Sequence, residues 1–145
     1  MILGKNEYRI RFPLVDFPAA RLLQVLSLNA AHLKGEWNGT ILALTGKDSN
    51  NKIVIVSMVI CDKETTRNYE FLLNKSKKND LFAAYMNNAQ TTFFTDCHRS
   101  FPGALASEVP LAQHRLCLQH ILKNVRPPIG QVGGLCVECE RFSLL

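Results

Sequence analysis

The sequence lacks the features that mark several classes of protein. No apolar run approaches the ~18 residues that a membrane-spanning helix requires, and Lys5, Glu7 and Arg9 interrupt the region where a secretory leader would be apolar. Internal repeats and low-complexity segments are also missing. Although the formal net charge is +5, the basic residues are spread along the chain. These absences argue against a membrane protein, a solenoid and a disordered chain.

Cysteine is scarce and does not form a disulfide pattern. The five cysteines, at positions 61, 97, 117, 136 and 139, are odd in number, which favours reduced thiols in an intracellular compartment. What is present suits one folded domain, since 47% of the 145 residues are hydrophobic and 20% are charged. The pI of about 9.1 is compatible with a nucleic-acid partner without requiring one.

The first third of the chain has the composition of three strands. Apolar and β-branched residues run over 22–30, 40–45 and 53–60. Asn38-Gly39 is the dipeptide that most readily adopts the positive φ angles of a tight hairpin, and residues 48–51 form the second turn. The short connections predict an antiparallel three-strand meander.

From about residue 65 the apolar spacing becomes helical. A helix capped by Thr65 or Thr66 and a short helix over 81–86 precede a fourth strand at 93–95, and the long connection predicts that this strand is parallel to the first. Pro102 suits the first turn of another helix, which Pro110 stops. A fifth strand over 111–117 and a helix over 118–125 complete the series.

This order of elements predicts an α/β fold with a ribonuclease-H-like mixed sheet, in which parallel strands and helices follow the meander. The C-terminal part of that fold is expected to be lacking. We divide the chain into a lead-in over 1–21, a core over 22–126 and an irregular tail over 127–145. In such sheets ligands bind where the carboxyl ends of the strands meet. We therefore expect Asn29 and Asp96 to be neighbours on adjoining central strands.

Asp96 is the main candidate for a catalytic and metal-binding residue. An acid at the carboxyl end of a buried strand can hold a divalent cation, and phosphoryl-transfer sites cluster such carboxylates around their metal ions. The alternative is that Asp96 caps the turn before the next helix. Asn29 occupies the adjoining position, where an amide oxygen can coordinate a cation but brings no charge.

Four cationic residues are candidates for contact with nucleic acid. His32 and Lys34 follow the first strand, Arg99 follows the fourth, and Arg115 lies in the fifth. Their side chains suit contacts to phosphate. Exposed strand-end residues with no ligand are the alternative for His32 and Lys34.

A second candidate metal site combines thiols with an imidazole. Cys117 and His120 are separated by two residues at a predicted strand-to-helix junction, and Cys136 and Cys139 form another pair beyond it. Three thiolates and one imidazole in a pair–gap–pair arrangement match a structural Zn²⁺ site. A buried thiol beside a histidine bonded to the backbone is the other interpretation.

Together these motifs resemble the transposase domain of Mutator-like elements, the MULE family. That family's pattern runs Asp-Gly-Thr-x-Leu-Lys-Gly, then Thr-Gly-x-Asp-x-Asn-Asn, an aromatic Phe-Leu helix, Ser/Thr-Asp and Arg-x-Cys-x-x-His. The corresponding segments here are Leu33-Lys34-Gly35, residues 45–51 (TGKDSNN), residues 68–72 (NYEFL), Thr95-Asp96 and residues 115–120 (RLCLQH). The resemblance spans about residues 26 to 124.

The resemblance implies a ribonuclease-H-like enzyme that cuts and joins DNA with an Asp-Asp-Glu (DDE) triad and Mg²⁺ or Mn²⁺. Asp96 matches the second Asp, and Cys117 with His120 matches the Cys-x-x-His motif. Asn29 stands at the first Asp, and the triad Glu lies on a later helix that this chain does not reach. These departures predict a transposon-derived core fragment with impaired cleavage, located in the nucleus, with transposon-end DNA as its partner.

Two other functions remain open for such a domain. It could be a non-catalytic module that binds nucleic acid or protein, or a transposase subunit whose site is completed by another chain. Either is compatible with an oligomer.

Overall fold

A computed structural model describes residues 10–12, 22–36, 38–78 and 80–125 of the chain. The described elements are β1 (Ile10–Phe12), β2 (Leu22–His32), β3 (Thr40–Asp48), β4 (Ile53–Cys61), α1 (Thr66–Ser76), α2 (Asp80–Met86), β5 (Thr92–Thr95), α3 (Ser100–Glu108), β6 (Gln113–Leu116) and α4 (Leu118–Val125). All six strands belong to one sheet, in the order β1-β4-β3-β2-β5-β6. No helix within these ranges combines the length and apolar character needed to cross a membrane.

The sheet is mixed, as predicted. β2, β3 and β4 form an antiparallel meander, whereas β5 pairs in parallel with β2 and β6 pairs in parallel with β5. The structure therefore confirms a mixed α/β architecture. β1 was not predicted; its three residues add to the meander by pairing antiparallel with β4.

The connection between β2 and β3 differs from the predicted tight hairpin. It spans residues 33–39 and is closed by the Leu33 N–H, which donates to the Gly39 carbonyl at 2.8 Å. Gly35 (+121°) in this loop and Asn51 (63°) in the next turn have positive φ. The connection is therefore not the two-residue hairpin predicted at Asn38-Gly39. Because this loop is longer than a two-residue turn, the left-handed conformation falls on Gly35 instead.

Helix α1 begins where the sequence indicates. Thr65 is its N-cap, and the Thr65 hydroxyl accepts a hydrogen bond from the Asn68 N–H at 3.3 Å. Tyr69, Leu72 and Leu73 follow at helical spacing and are fully buried. This apolar stripe packs α1 against β3, β4 and α3.

The two faces of the sheet differ. On the helix-covered face, Leu26, Leu28, Leu42, Leu44 and Phe93 are fully buried. We call the opposite side the open face; it carries the intervening residues Ser27, Asn29, Thr45 and Phe94, none of which is buried. This alternation follows from the two-residue period of side chains along a strand.

Candidate metal and nucleic-acid site

Four strands of the sheet end at the same edge. β2 runs parallel to β5, and β5 runs parallel to β6. β4 has the same direction as β2 because each is antiparallel to β3. The carboxyl edge, as we call it, therefore gathers the residues that follow β2, β4, β5 and β6. Edges of this kind are where α/β sheets bind their ligands.

The strand register puts positions 29 and 96 level with each other. Ser27 of β2 pairs with Phe94 of β5, and two residues further along each chain stand Asn29 and Asp96. Neighbouring strands lie about 4.8 Å apart. The pairing thus puts residue 29 on β2 and residue 96 just beyond the neighbouring strand β5, both at the carboxyl edge.

Asn29 is exposed on the open face. Its side-chain Nδ2 donates to the Ser27 hydroxyl at 3.1 Å. This bond uses one of the two N–H donors of the amide, and its carbonyl oxygen is the atom that could bind a cation. That oxygen is a neutral ligand.

Asp96 is half-buried directly after β5. Its Oδ1 accepts a hydrogen bond from the His98 N–H at 3.0 Å, the arrangement of an Asx turn. The predicted capping role and the predicted metal role are compatible here, because a carboxylate has about four lone-pair sites. Asp96 offers a carboxylate and Asn29 an amide oxygen at the carboxyl edge, which are groups of the kind that Mg²⁺ and Mn²⁺ take as ligands.

The four predicted nucleic-acid contacts are not all at one place. His32 ends β2, exposed, with Nδ1 3.3 Å from the Thr40 hydroxyl, and Lys34 lies exposed in the following loop. Arg99 is exposed just before α3. These three belong to the carboxyl edge, whereas Arg115 pairs with Phe94 within the edge strand β6 and bonds the Gln113 side chain at 3.3 Å.

The Cys-x-x-His pair sits at the junction of β6 and α4, as predicted. The His120 N–H donates to the Cys117 carbonyl at 3.0 Å, and the His120 Nδ1 atom is buried without a hydrogen-bond partner. Cys136 and Cys139 lie outside the described residues, so the complete zinc set stays a prediction. Within the described ranges no group of three or more His, Cys, Asp or Glu side chains could hold a metal ion.

The thiols only partly follow expectation. Cys117 is a free thiol, and the buried Cys61 donates to the Lys63 carbonyl at 3.2 Å. Cys97, in contrast, is disulfide-bonded, so the prediction of five reduced thiols is wrong at this position. Five cysteines leave room for as many as two bridges, so their number alone did not reveal this one.

Sequence reasoning missed a polar cluster beside Asp96. Glu64 Oε1 accepts a hydrogen bond from the Tyr69 hydroxyl at 2.8 Å and lies 3.5 Å from His98 Nδ1. Burial first, and then the charges of Glu64 and Asp96, raise the pKa of Tyr69 well above its usual range. The only signal in the sequence was the position of Glu64 just before the N-cap Thr65, which predicts no contact with residue 98.

A groove of about 570 Å³ opens on the open face next to Asn29. Its volume is that of a ligand pocket rather than a surface dimple. Most of its lining is apolar, and Lys47 carries the only formal charge among the lining residues: Leu23, Val25, Leu26, Ser27, Asn29, Thr45, Gly46, Lys47, Asn51, Ile53 and Phe94. Asn29 therefore borders a cleft that no acidic side chain lines.

The fold and the edge define a class: a mixed α/β domain whose polar residues converge at the carboxyl ends of parallel strands. The model of the MULE transposase domain matches residues 25–124, which is more than half of the chain. The protein belongs to the MULE transposase domain family, and its function is related to transposons. No curated protein matches the chain.

Proposed function

We propose that this domain is a transposon-derived transposase core that binds DNA at the carboxyl edge and cuts it poorly. One observation carries the proposal: residue 29, on the strand next to the one that Asp96 follows, is a neutral amide bonded to Ser27. The family's pattern has an acid at each of these two positions, and this chain has one at residue 96 only. As a transposon-derived DNA-binding domain it would act in the nucleus.

The topology supports a ribonuclease-H-like fold for this core. Without β1, the sheet order is third, second, first, fourth and fifth strand, with the meander antiparallel and the last two strands parallel to the first. That is the arrangement predicted from the order of elements. It explains why residues 67 positions apart in the chain stand on adjoining strands.

The chemistry of the pocket follows from its charge. Asp96 and Asn29 are the residues that would hold Mg²⁺ or Mn²⁺, and a bound ion would stabilise charge on the phosphoryl oxygens. With an amide at position 29, the two positions together carry one negative charge instead of the two that the family's pattern has there. Residues of such a set act as a unit, so losing one typically lowers the rate by orders of magnitude.

DNA binding is supported by the basic residues of the carboxyl edge. His32, Lys34 and Arg99 are exposed there, close to the level of Asp96. Contacts of this type fix a duplex by its phosphates and weaken as salt increases. We expect Arg99→Gln to weaken binding and reduce its salt dependence, while Lys78→Gln, an equally exposed cation beyond α1, leaves both unchanged.

The decisive measurement is cleavage of a duplex carrying terminal-inverted-repeat-like ends, with Mn²⁺ present. We expect the purified chain to bind the duplex without nicking it, because one ligand carboxylate is missing. Asn29→Asp should tighten Mn²⁺ binding by roughly tenfold, the usual effect of a supporting ligand group. Asn74→Asp adds the same charge at the far end of α1 and serves as the matched control.

Specific nicking by the unsubstituted chain would show that cleavage is not impaired. If neither Asn29→Asp nor Asp96→Asn changes the affinity for Mn²⁺, the cation does not bind at these two residues. If the chain does not bind the duplex even at low salt, DNA is not its partner.

A second candidate function, completion of the site by another chain, is favoured by the groove beside Asn29. The groove is open, its lining is mostly apolar, and no acid lines it, so a partner transposase subunit could bring a carboxylate to the Asp96 pocket. In that case Asn29→Asp raises cleavage only when the partner is present. If neither cleavage nor DNA binding is observed, a protein-binding module remains the alternative.

A further inference from the structure

Glu64 joins the loop after β4 to the loop after β5. Its Oε1 accepts from the Tyr69 hydroxyl at 2.8 Å on one side and lies 3.5 Å from His98 Nδ1 on the other. The Glu64 side chain is only 13% exposed. A carboxylate this buried is stable when its neighbours supply donors, as Tyr69 does here.

A row of rings supports the same connection. Phe101 lies between Tyr69 and His98: its ring centroid is 4.4 Å from that of Tyr69 and 6.3 Å from that of His98, with an edge-on geometry to the imidazole. Tyr69 and Phe101 are both fully buried. His98 Nδ1 also accepts a hydrogen bond from the Ser100 N–H at 3.4 Å, so the contact with Glu64 is an ion pair when the imidazole is protonated. The His98 ring thus contacts Glu64 on one side and packs edge-on against Phe101 on another.

His98 in turn holds Asp96 through its backbone. The His98 N–H donates to Asp96 Oδ1 at 3.0 Å, so the direction of the carboxylate depends on where residue 98 sits. We propose that Glu64 is a positioning residue for Asp96, acting through His98. The proposal rests on the proposed function only in that Asp96 is taken as the residue that binds the cation.

Asp62, the other acid of the loop after β4, bonds to α1 rather than to the loop after β5. Its Oδ1 accepts from the Asn68 side chain at 3.3 Å, and Asn68 also donates to the Lys63 carbonyl at 2.8 Å. These bonds tie the loop to the first turn of α1. Of the two acids, Glu64 is the one in contact with the loop after β5.

The test is Glu64→Gln in the full chain, read in two ways. Amide hydrogen exchange at His98 reports the bond to Asp96, and we expect exchange there to speed up roughly five- to thirtyfold. Mn²⁺ titration followed by water-proton relaxation reports the cation, and we expect the Kd to rise about tenfold, as for other groups that orient a metal ligand. Exchange at Leu72 in α1 should stay the same.

Glu70→Gln is the matched control, because it removes the same charge from α1 without touching His98. We expect neither His98 exchange nor the Mn²⁺ Kd to change in that variant. Tyr69→Phe removes the hydroxyl that anchors Glu64 but keeps the ring on Phe101; it should shift both readouts in the same direction as Glu64→Gln, by a smaller factor.

Unchanged His98 exchange in Glu64→Gln overturns the proposal whatever the metal does. Equal effects of Glu64→Gln and Glu70→Gln on Mn²⁺ also overturn it, since charge rather than position would then explain the change. If the unsubstituted chain binds no Mn²⁺ but His98 exchange responds to Glu64→Gln, the cation part of the proposed function fails while Glu64 still positions Asp96.

Discussion

The two faces of this sheet are made by the same strands but meet different demands. Along β2, Leu26 and Leu28 are completely buried under the helices, while Ser27 and Asn29 between them are not buried. A substitution at residue 28 must preserve the volume of the side chain, because the core around it is closely packed. A substitution at residue 29 needs only a side chain that tolerates contact with water. An acid-to-amide replacement at position 29 can therefore alter the chemistry of the edge without cost to the fold.

Asp96 belongs to neither face. It follows β5 at the carboxyl edge, where Thr95 is still buried on the helix-covered side and the chain then turns into α3. Its carboxylate is held by the His98 N–H, and His98 contacts residues of the core. Asp96 is thus tied to the buried half of the domain, whereas Asn29 faces solvent.

The largest expected contrast is between two leucines of β2. Leu28→Ala should lower the free energy of unfolding by about 2–5 kcal/mol, because a fully buried side chain leaves a cavity. Leu23→Ala, at a position 42% exposed beside the groove, should cost less than about 1 kcal/mol. Urea unfolding measures both. If both substitutions lower the free energy of unfolding equally, the open face is covered in solution and the contrast between the two faces is wrong.

A smaller effect is expected at the start of α1, on the helix-covered side. Thr65→Ala removes the hydroxyl that accepts from the Asn68 N–H and should lower the free energy of unfolding by about 1 kcal/mol. Thr65→Ser keeps the acceptor and should restore most of the loss. If Ser and Ala behave alike, the side-chain cap contributes nothing to stability.

How much of this could be predicted depends on the range of the interactions involved. The strands of the meander and α1 were predictable because alternation, β-branched runs and the Thr65 cap are local signals. β1 was not, since three residues gain strand structure only by pairing with β4. The loop around Gly35 was also not predicted, because its length depends on strand pairing. His32 is the last residue of β2 and pairs with Thr40, so the connection is longer than a two-residue turn at Asn38-Gly39.

The candidate site divides in the same way. The placement of residues 29 and 96 at the same edge of the sheet followed from the prediction that β2 and β5 are adjacent and parallel. The contact of Glu64 with His98 could not be predicted, because it joins two loops through Tyr69 and Phe101 and has no spacing rule. The tail with Cys136 and Cys139 lies outside the described residues, so the zinc interpretation stays a prediction.

The smallest effect we predict concerns neighbouring residues of β6 on opposite faces. His114 Nε2 lies 2.7 Å from the Thr95 hydroxyl; burial first, and the charge of Arg115 second, lower the pKa of His114 from its ordinary value of 6.5. The unfolded chain then binds the extra proton more readily, so this stability is complete above pH 6.5 and is lost as the pH falls through the folded pKa. Unfolding measured from pH 7.5 to 5 should show a smaller decrease in His114→Gln than in the unsubstituted chain. Arg115→Gln, on the open face, removes only the smaller of the two causes of the lowered His114 pKa, so most of the loss of stability at low pH should remain. An unaltered pH dependence in His114→Gln would show that the buried side of this edge strand is as accessible to protons as the open side.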